Sequence, residues 1–241
     1  MKTWIYYTLA LLLLTLHSCH EELFKSDDII IDEVGEDCTL NDVFVDEYGN
    51  EGIIAYISDD DFWGDCIIAI SADESYESWG PMGEVVYKAE GIAFDTFPNY
   101  YILYHPSFGL MMQQSMKSMG ISRFPAQQWC DEKNHGEPYP SAASWRLPTL
   151  YEWVLITKNT GLNAALLSIG GTPLDDNNYY WTCTEDIDGY VSHITDSLSV
   201  SDQENRAIPV NPSRYTYDNS DYWIKKNKYH VRAIKYVYYK N

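Results

Sequence analysis

Trp145-Arg146-Leu147-Pro148-Thr149-Leu150-Tyr151-Glu152-Trp153 holds the most specific local signals in the chain. Thr149-Leu150-Tyr151-Glu152 is a capping box. The threonine oxygen accepts from the amide three residues on, and the glutamate reaches back to the threonine amide. A helix therefore starts at Leu150, with Trp153, Val154 and Ile156 as its apolar positions. Pro148 and Thr149 set its entry, and Arg146 stands where it can satisfy carbonyls or a carboxylate beside the helix start.

Elements can be read in both directions from this point. Downstream, Leu162 to Ile169 is a second short helix, stopped by Gly170-Gly171. Tyr179 to Thr184 alternates as a strand, with Gly189 to Ile194 as its expected partner. Tyr229 to Val237 reads as one alternating strand closing the chain. Upstream, Pro125 suits a first helical turn, Ala126 to Lys133 continues it with Trp129 and Cys130 inward, and Asn134 and Gly136 stop it. Leu110 to Met119 is a further helix. Gly52 to Ile57 and Cys66 to Ile70 form a hairpin about Asp59-Asp60-Asp61 and Gly64, and Glu84 to Tyr87 is a short third strand. Strands, then helices, then strands define an α+β chain with antiparallel pairing.

The first residues have another purpose. After Lys2, Trp4 to Leu16 is a nearly unbroken apolar run of 13 residues. A helix needs roughly 20 to cross a bilayer, so this run fits the apolar part of a secretory signal. Leu16-His17-Ser18-Cys19 resembles a lipoprotein processing box, with His17 departing from the usual residue at its place. The expected organisation is a signal peptide over 1–18, lipidation of Cys19, an acidic tether over 19–45 and one domain over 46–241. Several acyl chains on one terminus hold far better than one, so the lipid supplies the membrane link. The expected location is the bacterial outer membrane, with the chain exposed at the surface.

Removing residues 1–18 takes one lysine and no acid, which leaves 15 basic against 36 acidic residues, a net −21. Such a chain is unsuited to nucleic acid, whose phosphates demand Lys and Arg. The 21 Tyr and 8 Trp of the full sequence equip the chain for a packed core. Cys38, Cys66, Cys130 and Cys183 follow the anchor without any Cys-x-x-Cys spacing. Three disulfide pairings are open in principle, although Cys66, inside an apolar run, reads as a buried thiol.

Several segments, taken in order, carry a resemblance: Ala55-Tyr56-Ile57, Ile67 to Ser71, Trp79-Gly80, Ala126 to Cys130, Trp145 to Trp153, Tyr180 to Glu185 and Val231 to Ile234. Together they resemble the bacterial domain-of-unknown-function family 1566 across about residues 52–238. That resemblance implies a C-type-lectin-like fold, related to the formylglycine-generating enzymes: small antiparallel sheets, two or three short helices and long irregular loops. Within it Trp145, Arg146, Leu147, Pro148, Thr149, Glu152, Trp153 and Trp181 read as scaffold, and Glu185 and Arg232 as a buried ion pair.

Function is expected in the loops, which carry recognition more often than core elements do. Asp175, Asp176, Asn177 and Asn178, with Tyr217 and Trp223, are the candidate ligand-binding residues for a glycan or a surface protein. Clustered oxygens of this kind suit calcium, although the calcium-lectin signatures Glu-Pro-Asn and Trp-Asn-Asp are absent. The first expectation is a lipid-anchored binding or adhesion protein, and the second an accessory or structural subunit of a surface fibre. An enzyme of the formylglycine-generating type ranks below both. That chemistry uses two cysteines late in the chain, and none follows Cys183. No catalytic residue can be named: His105, His135, His193 and His230 are scattered, and His230 reads as structural.

Overall fold

The computed structural model describes residues 33–34, 38–60, 64–84, 86, 106–136, 141, 143–185, 207–212 and 224–239. They belong to one compact unit, Asp32–Asn241. The expectations for residues 1–18, for Cys19 and for Gly189 to Ile194 fall outside the described residues.

Among the described residues the strands are β1 (Glu33–Val34), β2 (Val43–Val45), β3 (Glu51–Asp60), β4 (Gly64–Ser71), β5 (Ser75–Ser78), β6 (Tyr180–Glu185), β7 (Ala207–Val210), β8 (Lys228–Val231) and β9 (Ile234–Tyr239). The helices are α1 (Pro106–Gly120), α2 (Pro125–Glu132), α3 (Leu150–Thr157) and α4 (Leu162–Ser168). The strands form a five-stranded sheet ordered β1-β9-β4-β3-β2 and a four-stranded sheet ordered β5-β8-β6-β7. The architecture is α+β. None of the described helices is long and apolar enough to cross a membrane.

The five-stranded sheet is covered on both faces. Ile54, Ile67, Ala69 and Val237 pack with Phe108, Met112 and Met116 of α1, Cys130 of α2, and Trp145 and Trp181. Ile53, Ala55, Cys66, Ile68 and Ile70 point the other way and pack with Trp153 and Ile156 of α3 and Leu162 and Leu166 of α4. A strand buried on both faces reads as an unbroken apolar run, which is why Cys66 to Ile70 does not alternate. A bulge between Ile54 and Tyr56 interrupts the β3–β4 register.

The capping box closes as expected. Thr149 Oγ1 accepts from the Glu152 amide at 3.2 Å, and Glu152 Oε2 accepts from the Thr149 amide at 2.6 Å. The segment before it lies outside both sheets, so its backbone needs partners from elsewhere. Arg146 exchanges two backbone bonds with Ile234. Asn134 brackets Trp145, accepting from its amide at 2.7 Å and donating to its carbonyl at 2.9 Å. Gln127 accepts from the Leu147 amide at 3.1 Å.

Five expectations need correction. Pairing is not antiparallel throughout, because β1 runs parallel to β9 and β6 parallel to β8, so each sheet is mixed. Val43–Val45 pairs with β3, and Glu33–Val34 pairs with β9, so strands lie within the stretch read as a tether. The strand after the hairpin is Ser75–Ser78; of the expected 84–87, the described Glu84 and Val86 lie in no strand, Val86 instead donates its amide to Glu185, and Val85 and Tyr87 fall outside the described residues. The closing strand is two strands. β8 pairs with β5, β9 pairs with β4, and the chain changes sheet at Arg232-Ala233. Finally, Glu185 and Arg232 do not pair. β6 and β8 run parallel with Tyr180 opposite His230, which leaves Glu185 three residues out of step with Arg232. That offset is roughly 10 Å along a strand. Glu185 pairs with the buried Lys225 instead, and Arg232 with Glu74 at 3.2 Å.

Candidate functional site

A cleft of about 390 Å³ opens where four connections meet. The turn into β3 supplies Gly49, Asn50 and Glu51, the turn after β4 supplies Ala72 and Asp73, α2 ends in Lys133, and the exit from α4 gives Ile169 to Thr172. Each wall follows from local chemistry. Gly49 and Gly170 adopt φ of 82° and 78°, the left-handed region glycine enters without steric cost. A Cβ on Gly171 would stand 2.8 Å from the Ala72 carbonyl oxygen, so the α4 exit meets the β4–β5 turn backbone to backbone.

Side chains behind the walls hold them in place. The Arg232 guanidinium donates to the carbonyls of Ser71 and Ala72 at 2.8 Å, of Asp73 at 3.1 Å, and of Thr172. One buried arginine thus ties two cleft walls together. Burial draws its affinity for the proton down, Glu74 opposes that, and an arginine stays charged throughout. On the far side, Asn50 donates to Asp46 Oδ2 at 2.7 Å and to the Lys133 carbonyl at 2.9 Å, joining the β2–β3 turn to the end of α2. Asp46 also accepts from the Trp145 indole at 2.7 Å. Burial works against its charge, but these hydrogen bonds hold its carboxyl below the usual range.

Across the mouth, the Lys133 ammonium sits 2.8 Å from both Asp73 oxygens and 4.4 Å from the centre of the Trp129 ring. The lysine side chain is 11% exposed and that of Asp73 is 59% exposed. Tyr48, the residue before Gly49, stacks on His135 with ring centres 4.5 Å apart. Tyr48 is 39% exposed, and His135 has φ of 49°.

A second polar group lies beyond Asp73. His230 Nδ1 is 3.1 Å from Glu74 Oε1, and the His230 ring lies between Tyr76 and Tyr180. The Tyr180 hydroxyl oxygen accepts from the Asp175 amide at 3.0 Å, and burial pushes that hydroxyl up to about 12.

The sequence candidates are placed as follows. Asp175 ties its own turn: Oδ1 accepts from the Asn177 amide at 2.8 Å and Oδ2 from the Asn178 side chain at 2.9 Å. Asn211 donates to the carbonyls of Asp176 and Asn178 at 2.8 and 3.1 Å. Tyr217 and Trp223 lie outside the described residues. Among the described residues no three His, Cys, Asp or Glu side chains converge as around a metal ion. Trp145, Trp153 and Trp181 are buried core residues, and Arg146 and Glu152 form a buried pair with bonds of 2.9 and 2.5 Å. Cys66, Cys130 and Cys183 are buried and Cys38 is half-buried, all as thiols. Burial pushes Cys183 up to about 12, so it stays protonated and unreactive at neutral pH. No cleft residue belongs to a motif. The sequence signals near it are helix stops alone, Gly170-Gly171 after one helix and Asn134 and Gly136 after the helix that ends at Lys133.

The described fold is α+β, with two small sheets and four helices. No family model matches the chain, and no curated protein does. Among solved structures, a fimbrial protein from Bacteroides ovatus is similar in fold, with a TM-score of 0.55 at 13% identity. The likeness covers 82% of this chain and 48% of that one, so this chain spans about half the length of the protein it matches.

Proposed function

We propose that this chain is a non-catalytic surface protein, anchored by lipid on Cys19, that serves as an accessory or structural subunit of a surface fibre. The supporting observation is the likeness in fold to a fimbrial protein over 82% of the chain. The signal-like N-terminus and the processing box at Leu16-His17-Ser18-Cys19 agree with export to the cell surface. The C-type-lectin-like assignment and kinship with family 1566 belong to the same proposal and rest on the motif order from Ala55 to Ile234. Adhesion is the companion reading. The exposed turn at Asp175-Asp176-Asn177 favours it, since polar side chains there face solvent.

Cells producing the full chain provide the test. Radiolabelled palmitate should mark the protein and fail to mark the Cys19→Ser variant. Mechanical shearing should release it together with filaments that antibody against the chain decorates. A chain that stays wholly with sheared cells, on no filament, overturns the fibre role.

A further inference from the structure

β2 is the outer strand of the five-stranded sheet, and among the described residues no strand pairs with its other side. Bonding to β3 alternates along it. Asp42 accepts from the Ile54 amide, the Asp46 amide donates to the Asn50 carbonyl, and Phe44 lies midway, opposite Gly52. In an antiparallel ladder the residues between such bonded pairs turn their backbone groups away from the partner strand. The amides and carbonyls of Val43 and Val45 therefore point out along the edge.

Their side chains are uncovered too. Phe44 is buried against Trp145, so the pleat puts Val43 and Val45 on the opposite face. Both are 54% exposed, and Leu40, just upstream, is 46% exposed. Proteins blunt a sheet edge with lysine, proline or a bulge. Val43-Phe44-Val45 has no lysine or proline, and its register with β3 is unbroken. Only its length of three residues limits what can pair there.

Charge decides what fits. Asp42, Glu47 and Glu51 are exposed around the two valines. From Ser26 to Tyr87 the sequence contains no lysine, arginine or histidine. Of the cations brought near by the fold, Lys235 faces the buried Asp46 at 3.8 Å, and Lys133 is held by Asp73. Lys158 stands at the Asn41 end, next to Asn159, as one charge against three acids. A second copy of the chain would set these acids against themselves, with a formal net charge of −20 on each copy. A strand with basic ends gains backbone bonds and complementary charge together.

We infer that the edge of β2 accepts an extended segment of a partner protein, flanked by lysine or arginine, as an added strand. Val43 and Val45 supply the backbone groups and the apolar contact, and Asp42, Glu47 and Glu51 hold the basic ends. The inference does not rest on the fibre reading and holds equally for a solitary lipoprotein.

Amide hydrogen exchange followed by NMR tests it, on the full chain in uncharged detergent. The probes are synthetic peptides alternating valine with threonine, isoleucine with serine, or tyrosine with threonine, each with a lysine pair at both ends. The same peptides ending in glutamate are the controls. Without peptide, the Val43 and Val45 amides should exchange freely, while that of Asp46, bonded to Asn50, is protected. At least one lysine-ended peptide should bind saturably, with a dissociation constant on the order of 0.1 mM. Binding should slow exchange at Val43 and Val45 and weaken as salt rises from about 0.01 M to 0.2 M. Val45→Pro, which deletes an outward donor, and Val45→Lys, at an exposed position, should each weaken it roughly tenfold. The lysine variant alone suffices should the proline variant fail to fold. Four results overturn the inference: no saturable binding of any lysine-ended peptide, equal binding of the glutamate-ended set, unchanged exchange at Val43 and Val45, or binding undiminished in the folded variants. Protection of both valines that grows with protein concentration alone would overturn it as well, by putting a second copy in the partner's place.

Discussion

Arg146 and Glu152 show how one buried pair can organise an entry into a helix. The guanidinium donates to both carboxylate oxygens and to the Leu147 carbonyl, while Glu152 also accepts from the Thr149 amide and the Tyr236 hydroxyl at 2.8 Å. Burial disfavours the carboxylate, but Arg146 and these donors outweigh it and hold Glu152 below the usual range. Removing one partner leaves the other charged and buried. Arg146→Ala should therefore lose about 3–5 kcal/mol, read from urea midpoints. The pH dependence follows from the depressed value. The stabilisation is complete above the unfolded carboxylate value, near 4.3, and is lost as pH falls through the folded one. Glu152→Gln should lower the neutral-pH midpoint and flatten its decline between about pH 5 and pH 3. An acid limb as steep as that of the parent would remove Glu152 from the account.

At the scale of elements, α3 was legible because its start is written in four consecutive residues. Thr149 is fully buried, so Thr149→Ala should cost about 1–2 kcal/mol by thermal melting, the upper part of the capping range. α1 gives the opposite lesson. Alanine is favoured over glycine within a helix by about 1 kcal/mol. Yet a Cβ on Gly109 would stand 2.6 Å from Cζ of Arg146, a side chain fixed by Glu152. Gly109→Ala should therefore destabilise despite its propensity, and a raised melting temperature would show that Arg146 can give way. The other misses share a cause. Alternation from Tyr229 to Val237 continues through Arg232 because period two records which face a side chain takes, not which sheet the strand joins. The partners of Arg232 and Glu185 are Glu74 and Lys225, 158 and 40 residues away, beyond any local pattern. The cleft was invisible for the same reason: its walls come from four connections, and what closes them is one arginine bonding backbone carbonyls.

For the molecule as a whole, charge sets a question that no single contact answers. The formal net charge is −20, so surface carboxylates repel one another across the fold. The opposing attractions are distributed differently. Arg146–Glu152 and Lys225–Glu185 are nearly wholly buried, and Arg232 meets Glu74 with its own side chain at 0% exposure. Salt screens exposed charges separated by more than about 10 Å at 0.1 M and spares buried pairs. Exposed pairs such as Lys228–Glu77, at 3.8 Å, contribute little to begin with. Added sodium chloride should then remove more repulsion than attraction. The urea midpoint at neutral pH is expected to rise between about 0.01 M and 0.2 M salt and level off above that. The rise should survive Lys228→Ala, because repulsion among the acids drives it. A midpoint that falls with salt would mean that exposed ion pairs hold the fold together, and that the buried three are not its electrostatic frame.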